Sequence, residues 1–276
     1  MTTIEMTTPP PLGAGAIRRR NGFTNTLASE WIKLTSLRST YITLALGVFL
    51  SIATTAVASL AMGGTQYSWP EDIEPVIFTM VGNIFALIIF SVFGVIAATG
   101  EYSSGMMRLT LTATPRRERV LFAKLLLVSL IVLVFGMVAT IGMFLVGQVI
   151  LEAYDMPGTD LADGDGWRMA LGLGAVMPFF PIMGLALGVM LRSTAGAITS
   201  VLGLLWLPVI FGEFLPEWWR SNIVSLLPSS ALDSFTISHV VDSPAYSDPA
   251  IGALIAAGWL VAFLGAAYFT LLRRDA

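Results

Sequence analysis

The chain has 276 residues, of which 55% are hydrophobic and 12% charged, with a net charge of -3 and a mean hydropathy of +0.80. A soluble domain carries about 25% charged residues, so this composition excludes an ordinary soluble enzyme, and its hydrophobicity excludes a disordered or nucleic-acid-wrapping chain. With no Cys and one His, disulfides, thiolate chemistry and histidine metal clusters are excluded as well.

Residues 1–23 open with Thr and Pro and read as a disordered tail. The remainder, 24–276, reads as one membrane domain. Leu27, Trp31, Leu34 and Leu37 recur at helical spacing beside Glu30, Lys33 and Arg38, which predicts an amphipathic helix lying in the membrane interface. Six charge-free runs follow: Tyr41–Met62, Pro75–Gly100, Leu125–Leu151, Met169–Leu191, Ala195–Phe211 and Ala250–Leu272. A helix crosses a bilayer with about 20 apolar residues, whereas a barrel strand needs about 10 in strict alternation, so these runs predict helices. The fold class is therefore an all-α integral membrane protein with six transmembrane helices. The first run is longer than the apolar part of a signal peptide and starts far from residue 1, so it is expected to stay in the mature protein.

The spans are joined by segments of opposite sign. Thirteen of the 15 Lys and Arg precede span one, join spans two to three and four to five, or follow span six, while 13 of the 18 acids lie on the other side. Short basic loops remain cytoplasmic, so both termini and residues 101–119 are expected inside, and 152–168 and 213–249 outside. Thr114-Pro115 reads as an N-cap followed by Pro at the first helical position, so the third span is expected from about 116 to 151. The apolar stretches around Trp218-Trp219 and Ile223–Pro228 are too short to cross, and predict re-entrant or interfacial helices in the last outer loop. The tryptophan pair is expected to anchor at the interface rather than to face a substrate.

The signals of chemistry are missing where they would be specific. Neither lysine, Lys33 or Lys124, ends a phosphate-binding loop, and the six runs hold no acid or histidine for a protease or proton relay. The chain is expected not to be an enzyme. Asn83 and Gln148 are the side-chain amides within the spans, and helix-to-helix hydrogen bonding is expected of both. Small residues at four-residue spacing, Gly184 with Gly188 and Gly196 with Ser200, predict close helix packing, as do Gly258, Gly265, Ala266 and Ala267.

The stretch Gly100-Glu101-Tyr102-Ser103-Ser104-Gly105, with Arg108, follows span two directly. An acid at a membrane exit beside anionic lipid calls for a partner. That partner is expected on another protein, or at Arg108, which shares a face with Glu101 if the segment is helical. This motif, Ala28–Leu34 with Leu37-Arg38-Ser39-Thr40 before span one, and Leu227-Pro228 before span six together resemble the membrane subunits of bacterial ABC type-2 transporters. The resemblance covers roughly residues 27–272. It implies that Glu101, Tyr102, Ser104, Gly105 and Arg108 belong to a coupling element contacting a separate ATPase subunit. It also implies two ATPase copies and a second permease copy, ATP and Mg on the partner with no cofactor in this chain, and export of an unidentified substrate across the bacterial cell membrane. Two other readings stay open: a channel or secondary transporter working alone, or a non-transporting signalling or assembly protein. No nucleic-acid partner is expected.

Overall fold

The structure, a computed structural model, describes residues 22–64, 79–106, 116–156, 164–212, 214–236 and 248–273. Among these the regular elements are helical, as expected of an all-α membrane chain. Five helical stretches are long and apolar enough to span a bilayer: Arg38–Gly64, Asn83–Ser103, Arg117–Ala153, Met169–Leu191 and Pro249–Arg273. Six were expected. The expected fifth span is the helix Thr194–Gly212, whose Thr194–Leu207 part is a shorter apolar helix.

Helix α1 (Phe23–Ser36) starts inside the segment read as a tail, and residues 1–21 lie outside the described ones. Its inward face is Thr26, Glu30 and Leu34, at intervals of one turn. Leu34 and Leu27 join the core, while Trp31, Ile32 and Leu37 are exposed. The expected apolar face is thus divided: two residues hold the helix to the bundle, and Trp31 and Leu37 are left exposed. Leu37, in extended conformation, forms an elbow into α2 (Arg38–Gly64).

Helix α2 buries only the stripe Thr40, Leu44, Gly47, Ser51, Thr55, Ser59 and Met62. At its far end Thr55 Oγ1 donates to the Thr79 carbonyl (3.2 Å) and accepts from the Gly82 N–H (3.3 Å). A Cβ on Gly82 would collide with the Ser51 carbonyl. These ties hold residues 79–82 in a short 3-10 turn, so α3 (Asn83–Ser103) begins at Asn83 instead of Pro75. The expected part of that span before residue 79 lies outside the described residues.

Helix α4 (Arg117–Ala153) is one helix of 37 residues. Its N-cap is Arg116, whose carbonyl accepts from the Arg119 N–H at 3.0 Å, and Thr114-Pro115, expected to open this helix, lies outside the described residues. The expected fourth span is two helices, α5 (Gly164–Val176) and α6 (Phe179–Leu191). They meet at Met177-Pro178, because a proline lacks the N–H that would continue the ladder. Helix α6 is the centre of the bundle. Its Gly184 lies against the Ser91 carbonyl and Val95, and its Gly188 against Ala98 and Thr99. From the opposite side Gly94 of α3 touches the Pro181 carbonyl so closely that a Cβ would sit 2.1 Å from the oxygen. The Gly184/Gly188 pair thus packs two helices of the same chain.

The Gly196/Ser200 pair does not mark a seam. In α7 (Thr194–Gly212) the buried positions are one residue on, at Ala197, Val201 and Leu205, and a Cβ on Gly196 would have only ordinary contact with Ser193 and Leu191. The segment between α7 and the last helix carries α8 (Glu217–Asn222), a 3-10 turn at Val224–Leu226 and α9 (Pro228–Thr236). Trp218 and Trp219 pack edge to face and are exposed. Helix α10 (Pro249–Arg273) buries Gly252, Ala256, Ala267 and Leu271. Gly258 and Gly265 face open space, contrary to the expectation that they pack closely within the bundle.

Candidate functional site

The end of α3 is built from conflicting demands. Its last turn must satisfy its free carbonyls, and the Ser103 and Ser104 hydroxyls do so by donating to the Gly100 carbonyl at 3.1 and 2.8 Å. Gly105 then turns left-handed at φ 70, with its N–H on the Tyr102 carbonyl at 3.3 Å. That conformation suits glycine and ends the helix. The helix of Glu101 is interrupted at Gly105, within the segment on which Glu101 and Arg108 were expected to share a face. Arg108 itself lies outside the described residues.

Glu101 finds its partners elsewhere in the chain. Its Oε1 receives Lys124 Nζ at 2.7 Å and Lys33 Nζ at 3.2 Å. Both lysines also reach Glu30, Lys33 on Oε1 at 2.6 Å and Lys124 on Oε2 at 2.7 Å. Two acids and two amines therefore close a neutral ring across α1, α3 and α4. Glu30 is fully buried, Lys124 and Glu101 nearly so, and Lys33 remains 23% exposed. Charges removed from water this far persist only when paired, and withdrawing one partner from such a cluster costs about 3–5 kcal/mol. The ring fixes the orientation of three helices at one point.

Neighbouring contacts converge on the same end of the bundle. The Arg192 guanidinium lies 5.3 Å from the centre of the Tyr102 ring, and Thr194 Oγ1 meets Thr99 Oγ1 at 2.9 Å, so the α6–α7 turn is tied to the end of α3. Arg192 holds this turn in the left-handed region, at φ 53. Arg117 Nη1 donates to the Leu271 carbonyl at 3.1 Å, joining the start of α4 to the end of α10. A cavity of about 320 Å³ opens between the α1–α2 elbow and α3, lined by Lys33, Leu37, Thr40, Phe93, Ala97 and Glu101.

Of the residues expected to form a coupling element, Glu101 and Tyr102 are held inside, while Ser104 and Gly105 stand at the exposed turn. The sequence reading missed Glu30, Lys33 and Lys124 as partners of Glu101. A signal was available: Lys33 and Lys124 are the chain's two lysines, and Lys124 lies among Leu121, Leu125 and Val128 on an otherwise apolar helix face. A lone amine in that setting requires a buried acid.

No curated protein matches this chain. The model of the ABC-2 family transporter proteins matches residues 26–211, two thirds of the 276, from α1 through the ion ring to the end of α7. A multi-pass bundle of apolar helices without strands among its described residues agrees with that match, and the chain belongs to the ABC-2 family of transporter permeases.

Proposed function

We propose that this permease forms the membrane path of an exporter driven by a separate ATPase that docks on the turn after α3. The chain itself hydrolyses no nucleotide. ATP and Mg belong to the partner, in two copies, and a second permease completes the path in the bacterial plasma membrane, with both termini in the cytoplasm. Support comes from family membership, from the 13-to-2 distribution of basic residues, and above all from the ion ring. The ring leaves Ser103, Ser104 and Met106 exposed on a turn whose root is clamped to α1 and α4. A force applied to that turn moves three helices together. Glu101 is then a positioning residue, and the ATPase contacts lie just beyond it.

The native chain has no Cys, so single introduced thiols are unambiguous. A benzophenone attached to Ser104→Cys should capture the ATPase in membranes of a strain making both subunits, and one attached to Ser221→Cys should not. Full export with no adduct at Ser104, or equal adducts at both positions, would overturn the assignment.

A further inference from the structure

The cavity of about 320 Å³ under the α1–α2 elbow is polar at one end and apolar at the other. Lys33, Ser36, Ser39 and Glu101 line it where the chain carries its charges. Thr43, Phe93 and Ala97 line it further in, and all three belong to the charge-free runs 41–62 and 75–100. From Glu101 to Phe93 is eight residues of α3, or about 12 Å along the helix. That is most of the roughly 15 Å that one leaflet contributes to a hydrocarbon core of about 30 Å. Leu37 and Ile96 line the cavity and are also exposed, so it opens to the surroundings of the bundle. The groove thus runs from headgroup level into hydrocarbon, in the same sense as a lipid of the leaflet on the α1 side.

We propose that this groove seats one anionic phospholipid, with an acyl chain between α2 and α3 and its phosphate headgroup at Arg38. The sign of the headgroup comes from Arg38. The ring at the polar end holds two carboxylates and two amines and has no net charge, so it selects neither sign. Arg38, between the lining residues Leu37 and Ser39, is exposed and has no partner among the described residues. A guanidinium takes phosphate oxygens two at a time, which suits it to this role. Trp31, exposed on α1, adds an indole of the kind that sits among headgroups. A free phosphate would leave Phe93 and Ala97 uncovered, whereas an acyl chain covers them. The inference goes beyond the transport reading and requires neither an ATPase nor a direction of transport.

The test is retention of lipid by the full chain. Protein in nanodiscs holding equal amounts of palmitoyl-oleoyl phosphatidylglycerol and palmitoyl-oleoyl phosphatidylcholine is released in the mass spectrometer, and the lipids that stay bound are identified. The wild type should keep one lipid, phosphatidylglycerol over phosphatidylcholine by roughly 5-fold, the worth of one basic residue at a membrane surface. Arg38→Gln should bring the two lipids to parity while one lipid stays bound. Arg273→Gln, at an exposed arginine on the end of α10, should leave the preference unchanged. Thr43→Phe and Ala97→Phe fill the groove from its two walls, and each should remove the bound lipid. If one of them fails to fold, the other decides, and the Arg38→Gln ratio stands apart from both. Absence of a retained lipid in the wild type, equal retention of the two lipids by it, a preference that survives Arg38→Gln, or a lipid kept by a filled variant would overturn the proposal.

Discussion

The two ends of α3 treat buried polar groups in opposite ways. At one end Glu30, Lys33, Glu101 and Lys124 neutralise one another, although Glu101 Oε2 is left without a hydrogen bond, so charge is used to lock helices. At the other, Asn83 Oδ1 and Ser229 Oγ remain without hydrogen-bond partners beside an acid that burial disfavours, so polarity is held open. The difference teaches that buried charge by itself does not mark a ligand site. Charge matched by opposite charge serves the fold.

The largest effect expected from breaking this contrast comes from Lys124→Met. It leaves two buried carboxylates across α1 and α3 with only the Lys33 amine between them, one negative charge in excess, and should destabilise the protein by about 3–5 kcal/mol, read as loss of monodisperse protein in detergent or a lower apparent melting temperature. Glu101→Gln in the same chain should recover part of that loss, since one of the stranded charges is gone. Equal stability of Lys124→Met and wild type would mean that the ring does not clamp the helices.

The opposite end should respond with the opposite sign. A carboxyl raised from 3.8 to about 6 on folding takes up protons in the native state that the unfolded chain releases. Stability is therefore fullest below about pH 4 and declines as pH rises through 6. Asp233→Asn should stabilise at pH 7.5 by up to about 3 kcal/mol, with the gain vanishing near pH 4, as followed by apparent melting temperatures across that range. A gain independent of pH would place its cause outside the carboxyl.

Between the two ends, Gly94→Ala should cost about 1–3 kcal/mol, because the added carbon meets the Pro181 backbone and forces α3 and α6 apart. Gly258→Ala supplies the reference. It faces open space, and helix propensity alone should make it neutral or stabilising by about 1 kcal/mol. Both are read by the same thermal unfolding, and a reversed ranking would refute the packing assigned to α3 and α6. The smallest effect is on topology and leaves energetics untouched. An impermeant thiol reagent on intact cells should label Ser247→Cys and spare Ser103→Cys if residues 101–119 are cytoplasmic.

Much of this was legible in the sequence because charge-free length is a one-dimensional property. The runs from Tyr41, Met169 and Ala250 reappear as helices within a few residues of their expected bounds. What failed depends on contacts distant along the chain. The start of α3 is set by Thr55, 27 residues before Gly82, and the ring joins Lys33 to Glu101 across 68. Glycine spacing showed that close approach was affordable without showing its direction, so Gly184/Gly188 and Gly196/Ser200 looked alike although Gly184 and Gly188 press tightly on α3 and Gly196 has only ordinary contact with Ser193 and Leu191. For Glu101 the sequence posed the right question, a partner for an acid at a membrane exit, and the answer lay in helices it had no means to bring together.

The unbroken length of α4 has a mechanical consequence. Thirty-seven residues make a rod of about 55 Å, well beyond a hydrocarbon core of about 30 Å. A tilt of only about 5° about its midpoint displaces each tip by roughly 2.4 Å for a rod of that length. At Lys124, between the midpoint and one tip, the displacement is about 1.4 Å at roughly 1.5 Å of rise per residue, and directed along its 2.7 Å contacts it would stretch them beyond the reach of a hydrogen bond. The ring is thus an angular latch on a long lever: it holds one inclination of α4, and a few degrees of rocking suffice to release it.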